Sequence, residues 1–296
     1  LILEVNSEKE QIINVSVIIP TYNDWERLKW CLTALKEQSY PKHQFEVLVV
    51  NNDPSDPPPS WWEVQKGVRL LEEKKPGSYA ARNLAIQNAR GTVLAFTDAD
   101  CLPEPDWLSE GMKVIENNGY SRVGGRINIF QTDKGNKFAF IYEKYFAFQQ
   151  ERNVKLFKKS VTGNFFAKKV LFLRYGFFDE KLQSGGDFFW NIKVSQAGEN
   201  ICYAKNAVVN HPARESISKI AEKKRRTIGG YYHESFSKLK LSRQMLILLK
   251  RTLPPISRID YIKFDSLGDY LIVLLTRWYI ELLGVAELLK LSWLKK

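Results

Sequence analysis

Cysteine and histidine are scarce in this chain of 296 residues, at three each: Cys31, Cys101 and Cys202, and His43, His211 and His233. The cysteines lie far apart and form no CxxC, which excludes a disulfide framework or zinc knuckle and reads as a reducing, cytoplasmic setting. Long uncharged apolar runs are also missing. The most apolar stretch, residues 270–294, carries Arg277, Glu281, Glu287 and Lys290, whereas a membrane span needs about 18 or more residues with few or no charges. It reads as interfacial or packed. No secretory signal is visible in residues 1–14, where Glu4, Glu8, Lys9 and Glu10 interrupt any apolar run. The absence of GxGxxG after the first apolar run argues against a nicotinamide-dependent dehydrogenase, and the absence of a Gly-rich basic loop there argues against a sugar nucleotidyltransferase. No RNP, zinc or helix-turn-helix signature accompanies the basic charge.

Hydrophobic residues at 44% and charged residues at 26% are ordinary globular usage, which excludes disorder as the main organisation. The length fits two domains of roughly 150 residues, or one α/β domain with an appendage. The net charge is +11, and residues 205–263 hold 14 Lys and Arg against 4 Asp and Glu. Such a block suits phosphate, whether on nucleic acid, an anionic membrane surface or a diphosphate substrate.

Apolar runs at residues 15–19, 45–50, 68–71 and 92–96 are rich in Val, Ile and Leu with little alternation, the pattern of strands buried on both faces. Helical spacing between them, over residues 25–38 after a candidate cap at Asp24 and over 78–90, predicts a mostly parallel sheet. Further on, the pattern predicts a helix at 106–117, a strand at 122–130, one aromatic helix at 138–150, a strand and helix within 162–175, and helices from 216 with a break at Leu253-Pro254-Pro255.

Ligands of open parallel sheets bind beyond the carboxyl ends of the strands. The first strand runs into Pro20-Thr21-Tyr22-Asn23-Asp24, the second into Asn51-Asn52-Asp53 and the fourth into Thr97-Asp98-Ala99-Asp100. In an extended segment Asp98 and Asp100 leave the same side and can share one cation; two such hard ligands with a substrate phosphate suit Mg²⁺ or Mn²⁺. A solvated turn is the plain alternative.

These segments, with Ala81-Arg82-Asn83, Thr162-Gly163-Asn164, Gly176-Phe177-Phe178-Asp179-Glu180, Ser184-Gly185-Gly186-Asp187 and Val208-Val209-Asn210-His211-Pro212, resemble the family 2 glycosyltransferases. The resemblance covers roughly residues 14–215. It implies a GT-A fold, a Rossmann-like mostly parallel sheet flanked by helices, preceded by a tail over residues 1–13 and followed by a basic, amphipathic helical region over 216–296. It further implies an inverting, metal-dependent transfer from a nucleoside diphosphate sugar to the hydroxyl of a glycan or lipid-linked acceptor. Asp98 and Asp100 match the family's metal motif, and His211 resembles a histidine that completes the metal sphere, which would favour Mn²⁺ over Mg²⁺. Asp187 matches the catalytic base, with a helix cap over 188–197 as its alternative. Pro20, Thr21, Tyr22, Asn23, Asn52, Arg82, Asp98 and Asn164 fall on the donor-binding positions. In the run Lys223-Lys224-Arg225-Arg226, Arg226 is the candidate for the diphosphate, since Gly229-Gly230 permit close approach. Trp107 and Trp190 are candidate platforms for the acceptor sugar.

The chain departs from the pattern twice. Gly186-Asp187 stands where most relatives carry Glu-Asp, and Asn51-Asn52-Asp53 where many carry Asp-Asp. Asn52 can donate or accept, so the base of the nucleotide stays open. A basic nucleic-acid-binding protein without catalytic activity is the competing reading, though the basic residues avoid the motif-bearing sheet. On a C-terminal helix, Leu271, Leu274, Leu275, Trp278, Leu282, Val285 and Leu289 share one face, with Arg277, Glu281 and Gly284 opposite. That stripe predicts peripheral contact with the cytoplasmic face of a membrane; packing on the catalytic domain and formation of a homodimer are its alternatives.

Overall fold

The computed structural model describes residues 13–62 and 67–293, so the predicted tail lies, but for residue 13, outside the described residues. Eight strands form one sheet: β1 (Val15–Thr21), β2 (Phe45–Asn51), β3 (Val68–Glu72), β4 (Val93–Thr97), β5 (Leu102–Pro103), β6 (Arg122–Phe130), β7 (Asn164–Lys168) and β8 (Ile201–Pro212), in the order β3-β2-β1-β4-β7-β6-β8-β5. Strands β3, β2, β1 and β4 are mutually parallel, β7 runs antiparallel to β4 and β6, and β8 is parallel to β6. The unbroken apolar runs of β2 and β4 are buried at every position, because helices cover both faces.

One face packs α1 (Trp25–Lys36) and α3 (Trp107–Asn117), through Leu28, Leu32, Leu35, Leu108, Met112 and Ile115, onto Val15, Val17, Ile19 and Val47. The other packs α2 (Ser78–Asn88) onto Ile18, Leu48, Val50, Leu94 and Phe96. Successive β1 residues serve opposite faces, as the two-residue repeat of a strand requires.

The expected aromatic helix is instead two. After α4 (Lys137–Phe146) the chain turns through Gln149 at φ 37° before α5 (Gln150–Phe157). No glycine or proline marks that break; Asn153 holds it by donating to the Phe148 carbonyl at 2.8 Å. Then follow α6 (Lys169–Tyr175), α7 (Gly186–Gln196), α8 (Ile217–Glu234), α9 (Leu241–Thr252) and α10 (Leu267–Trp293). Arg122, fully buried in β6, donates to the Asn191 carbonyl and side chain, to Ser195 and to the Glu199 carbonyl. It fastens α7 to the sheet.

Helix α10 packs inward by Val273, Ile280, Gly284, Val285 and Leu288, an apolar face that carries one buried acid, Glu281. Glu281 accepts from Lys224 of α8 at 3.1 Å and pairs with Arg277 at 3.0 Å and Arg251 of α9 at 3.8 Å. Gly284 lets α8 approach, since a Cβ there would lie 2.9 Å from Cε of Lys224. Of the predicted apolar stripe only Val285 is buried, while Leu271, Leu275, Leu282 and Leu289 stay exposed.

Candidate active site

Strand register brings the site together. Thr21 pairs with Asn51 across β1 and β2, and Thr97 with Asn164 across β4 and β7, so three strand ends and the segment before β7 meet on one side. Beyond β4 the chain is a turn rather than the extended segment expected, closed by the Cys101 N–H donating to the Asp98 carbonyl at 3.1 Å. Pairing of Leu102 with Asn210 then brings His211 beside that turn. Asp98, Asp100, Cys101 and His211 offer ligand atoms that all lie within 4.8 Å of one another.

The tautomer of His211 follows from its partner. Nδ1 lies 2.7 Å from the Pro212 carbonyl, which can only accept, so Nδ1 carries a proton and Nε2 is the atom turned to Asp100, 3.7 Å away. Burial, with Asp100 and Asp98 nearby, pushes the Cys101 thiol well up, so it stays a neutral S–H and a poor ligand. Two carboxylates and one imidazole remain, a donor set that fits Mn²⁺ or Mg²⁺.

Each carboxylate already has a cation. Arg82 of α2, 4% exposed, bonds Asp98 at 2.5 Å; Arg27 of α1 lies 3.6 Å from Asp100 and bonds Asp24 at 2.8 Å. Asp24 thus stands at the α1 N-cap position without capping it. Two cavities meet at the cluster. One, of about 700 Å³, is bounded by Asp98, Thr162, Asp187 and Tyr79 and continues between Phe146 and Ile280. The second, of about 1030 Å³, is bounded by Asp100, Arg27 and Phe130. His211, Arg214, Lys223 and Arg226 line both. Burial pulls the Lys223 amine down to about 8, helped by Arg214 and Arg226 and opposed by Glu143 and Asp98.

Asp187 lies in the first turn of α7, whose N-cap is Gly185 at φ 84°; it is therefore not the cap. Its Oδ2 accepts from the Thr162 N–H at 3.1 Å, and its Oδ1 from the Phe188 N–H at 2.9 Å and the Tyr79 hydroxyl at 3.1 Å. Burial raises its pKa above the ordinary carboxylate range, although those donors and Arg82 work against it.

Other predicted residues are placed differently. Asn164 is fully buried, accepting from Trp107 Nε1 at 2.8 Å and donating to the Arg126 and Ala207 carbonyls; it ties strands and does not face the cleft. Asn52 donates to the Glu73 and Lys75 carbonyls and accepts from the Gly77 N–H, which commits it to the loop before α2. Trp107 and Trp190 are core residues, 0% and 4% exposed, and form no sugar platform. Pro20, Thr21, Tyr22 and Asn23 do lie at the β1 end: Thr21 Oγ1 is buried without a partner, Tyr22 is exposed and Asn23 has φ 50°. Sequence reasoning missed Lys223, Arg214, Arg27 and Tyr79. The three-residue spacings Lys223–Arg226 and Tyr79–Arg82 were a usable signal, since such residues share a helix face.

A doubly covered, mixed sheet with acidic residues beyond its parallel strands is the GT-A architecture. The mannosyltransferase PcManGT from Pyrobaculum calidifontis, solved in complex with GDP-Man and Mn²⁺, superposes with a TM-score of 0.65 at 20% identity, over 96% of this chain and 88% of that one. Staphylococcus aureus TarS 1-349 in complex with UDP-GlcNAc gives 0.55 at 18% identity, over 91% and 90%. Residues 16–174 match the model of glycosyl transferase family 2. Glycosyltransferase AglE of Haloferax volcanii is 35% identical over 208 residues, 68% of this chain and 67% of that one. A Methanococcus voltae enzyme, dolichyl N-acetyl-alpha-D-glucosaminyl phosphate 3-beta-D-2,3-diacetamido-2,3-dideoxy-beta-D-glucuronosyltransferase, is 25% identical over 229 residues, 69% and 68% of the two chains. The chain belongs to glycosyl transferase family 2 and is a glycosyltransferase.

Asp98→Asn and Asp100→Asn are each expected to weaken Mn²⁺ binding by about tenfold or more, because the cation loses an anionic ligand. Electron paramagnetic resonance of free Mn²⁺ measures this; unchanged affinity in both variants would remove the cluster as a metal site.

Proposed function

We propose that this glycosyltransferase moves a sugar from a nucleoside diphosphate sugar to the hydroxyl of a glycan or lipid-linked acceptor, with inversion and with a divalent metal. The observation that carries the reading is that Asp98, His211 and Asp187 border one cavity. Mn²⁺ or Mg²⁺ held by Asp98, Asp100 and His211 would offset the charge of the departing diphosphate. Lys223, Arg214 and Arg226 line the same cavity and add positive charge on the same side.

Asp187 is the base. The acceptor oxygen attacks the anomeric carbon, its proton passes to Asp187, and the bond to the diphosphate breaks with its electron pair. A carboxylate whose pKa is raised by burial takes a proton more readily. The cavity's remaining acid, Glu143, accepts from the backbone N–H and guanidinium of Arg214, which withdraws it from nucleophilic attack. One base without a second free carboxylate favours a single displacement. Lys223 turns into the cavities and Lys224 pairs with Glu281, which withdraws two charges from the surface stripe that a nucleic-acid binder needs and favours the transferase over that alternative.

The acceptor side faces a membrane in this reading, with residues 14–215 carrying most of the chemistry and 216–296 the contact. Among the described residues no helix is long and apolar enough to cross a bilayer. Helix α9 exposes Leu241, Met245, Leu246 and Leu249, and α10 exposes Leu271, Leu275, Leu289 and Trp293. Lys240, Arg243, Lys250 and Lys290 lie on the same two helices or at their ends, a combination suited to an anionic leaflet.

Asp187→Asn is expected to lower turnover by about 100-fold or more while leaving nucleotide-sugar affinity within about twofold, since a base contributes little to ground-state donor binding. Parallel loss of affinity and turnover would make Asp187 a donor ligand. Proton NMR of the first-formed product should show the inverted anomer; retention would remove the single displacement. In co-sedimentation with anionic vesicles at physiological salt, the full chain should pellet and Leu249→Asp/Leu275→Asp should stay in solution. Equal recovery of both in the supernatant refutes the membrane contact.

A further inference from the structure

The residue before the base is a glycine, and its space is taken. A Cβ on Gly186 would lie 2.9, 3.0 and 3.1 Å from Cε2, Cζ and Cδ2 of Tyr79, closer than a real Cβ contact allows. The ring cannot readily yield, because Tyr79 is 5% exposed and packs on Phe178 with centroids 5.6 Å apart. Its hydroxyl donates to Asp187 Oδ1 at 3.1 Å, beside the Phe188 N–H on the same oxygen. Burial holds the phenol above its ordinary value, so it remains a donor across the working range.

We propose that Tyr79 is the positioning residue of the base: its ring fills the place of a side chain at 186, and its hydroxyl fixes the Asp187 carboxylate with Oδ2 toward the acceptor. This rests on reading Asp187 as the base. Tyr79 and Arg82 stand three apart on the first turns of α2, so one helix face orients both reacting-site carboxylates, Asp187 through the phenol and Asp98 through the guanidinium. Oδ2 keeps a single protein donor, the Thr162 N–H, and has lone-pair capacity left for an acceptor hydroxyl. The charged groups facing Asp187 are Arg82 from α2 and Lys159 from the segment before β7, with Asp98 across the same cavity; Arg82 lies over the Tyr79 ring, 5.8 Å from its centroid, and Tyr79→Phe keeps that ring.

A phenol that donates to a carboxylate favours its ionised form, so removing the donor raises the pH at which Asp187 takes up its proton. The test is a carbon-13 carboxyl NMR titration of the full chain, with the Asp187 signal assigned by its loss in Asp187→Asn. Tyr79→Phe and Gly186→Ala, which displaces the ring, should each raise the midpoint by about half a pH unit or more. The double variant should match Gly186→Ala alone, because both changes remove one interaction. In Mn²⁺-dependent hydrolysis of GDP-mannose or UDP-N-acetylglucosamine, Tyr79→Phe should lower kcat about tenfold with KM within about twofold. An unmoved or lowered midpoint in Tyr79→Phe overturns the inference; if that chain does not fold, the midpoint of Gly186→Ala decides. Undiminished hydrolysis by Asp187→Asn overturns the base assignment instead, a result independent of the titration.

Discussion

The ion pair between Arg82 and Asp98 is the interaction on which the site depends. Arg82 is nearly buried, its Nε has no partner and its Nη1 reaches only the Ser78 carbonyl at 3.3 Å, so the guanidinium relies on Asp98 for compensation. Removing one partner of a fully buried pair costs about 3–5 kcal/mol; with the Asp98 side chain 32% exposed, solvent screening makes the loss here smaller. The pair therefore fixes where α2 begins relative to the end of β4. Everything the first turn of α2 carries, including Tyr79, inherits that position.

The same rule governs the C-terminal helices. Burial opposes ionisation of Glu281, yet Lys224, Arg277 and Arg251 outweigh it and hold the carboxyl below its ordinary range. Three cations around one anion are a poor stability device by themselves. They specify orientation instead: α10 docks only in the rotation that brings Glu281 to Lys224 and Gly284 against α8. Val273, Ile280, Val285 and Leu288 thereby face the protein, while Leu271, Leu275, Leu282 and Leu289 are turned outward.

That choice between two apolar faces marks the limit of what the sequence discloses. The central strands and α1 to α3 could be read from Val-rich runs and helical spacing, since local pattern and global fold agree there. Asp98, Asp100, His211 and Asp187 could be placed from strand ends and family motifs, and the structure brings them to adjoining walls. Asn164 could not be judged so, because an amide at a strand start looks the same whether it faces a ligand or ties three strands. Trp107 and Trp190 misled for a related reason: nearness in sequence to Asp100 and Asp187 says nothing of which way an indole points. The break after Phe146 has no glycine or proline signal, yet it sets Phe148 against the His211 ring, with centroids 4.7 Å apart.

Helix α8 joins the carboxylate cluster to the C-terminal helices. Lys223 and Arg226 face the cavities around the carboxylate cluster, while the neighbouring Lys224 is turned to Glu281 and the contact surface of Gly284. Consecutive residues thus serve different neighbours, because one step along a helix rotates a side chain by roughly 100°. The basic block that sequence alone assigned to phosphate in general is therefore divided by helical phase, with one part toward the proposed diphosphate and one part holding α10 through Glu281.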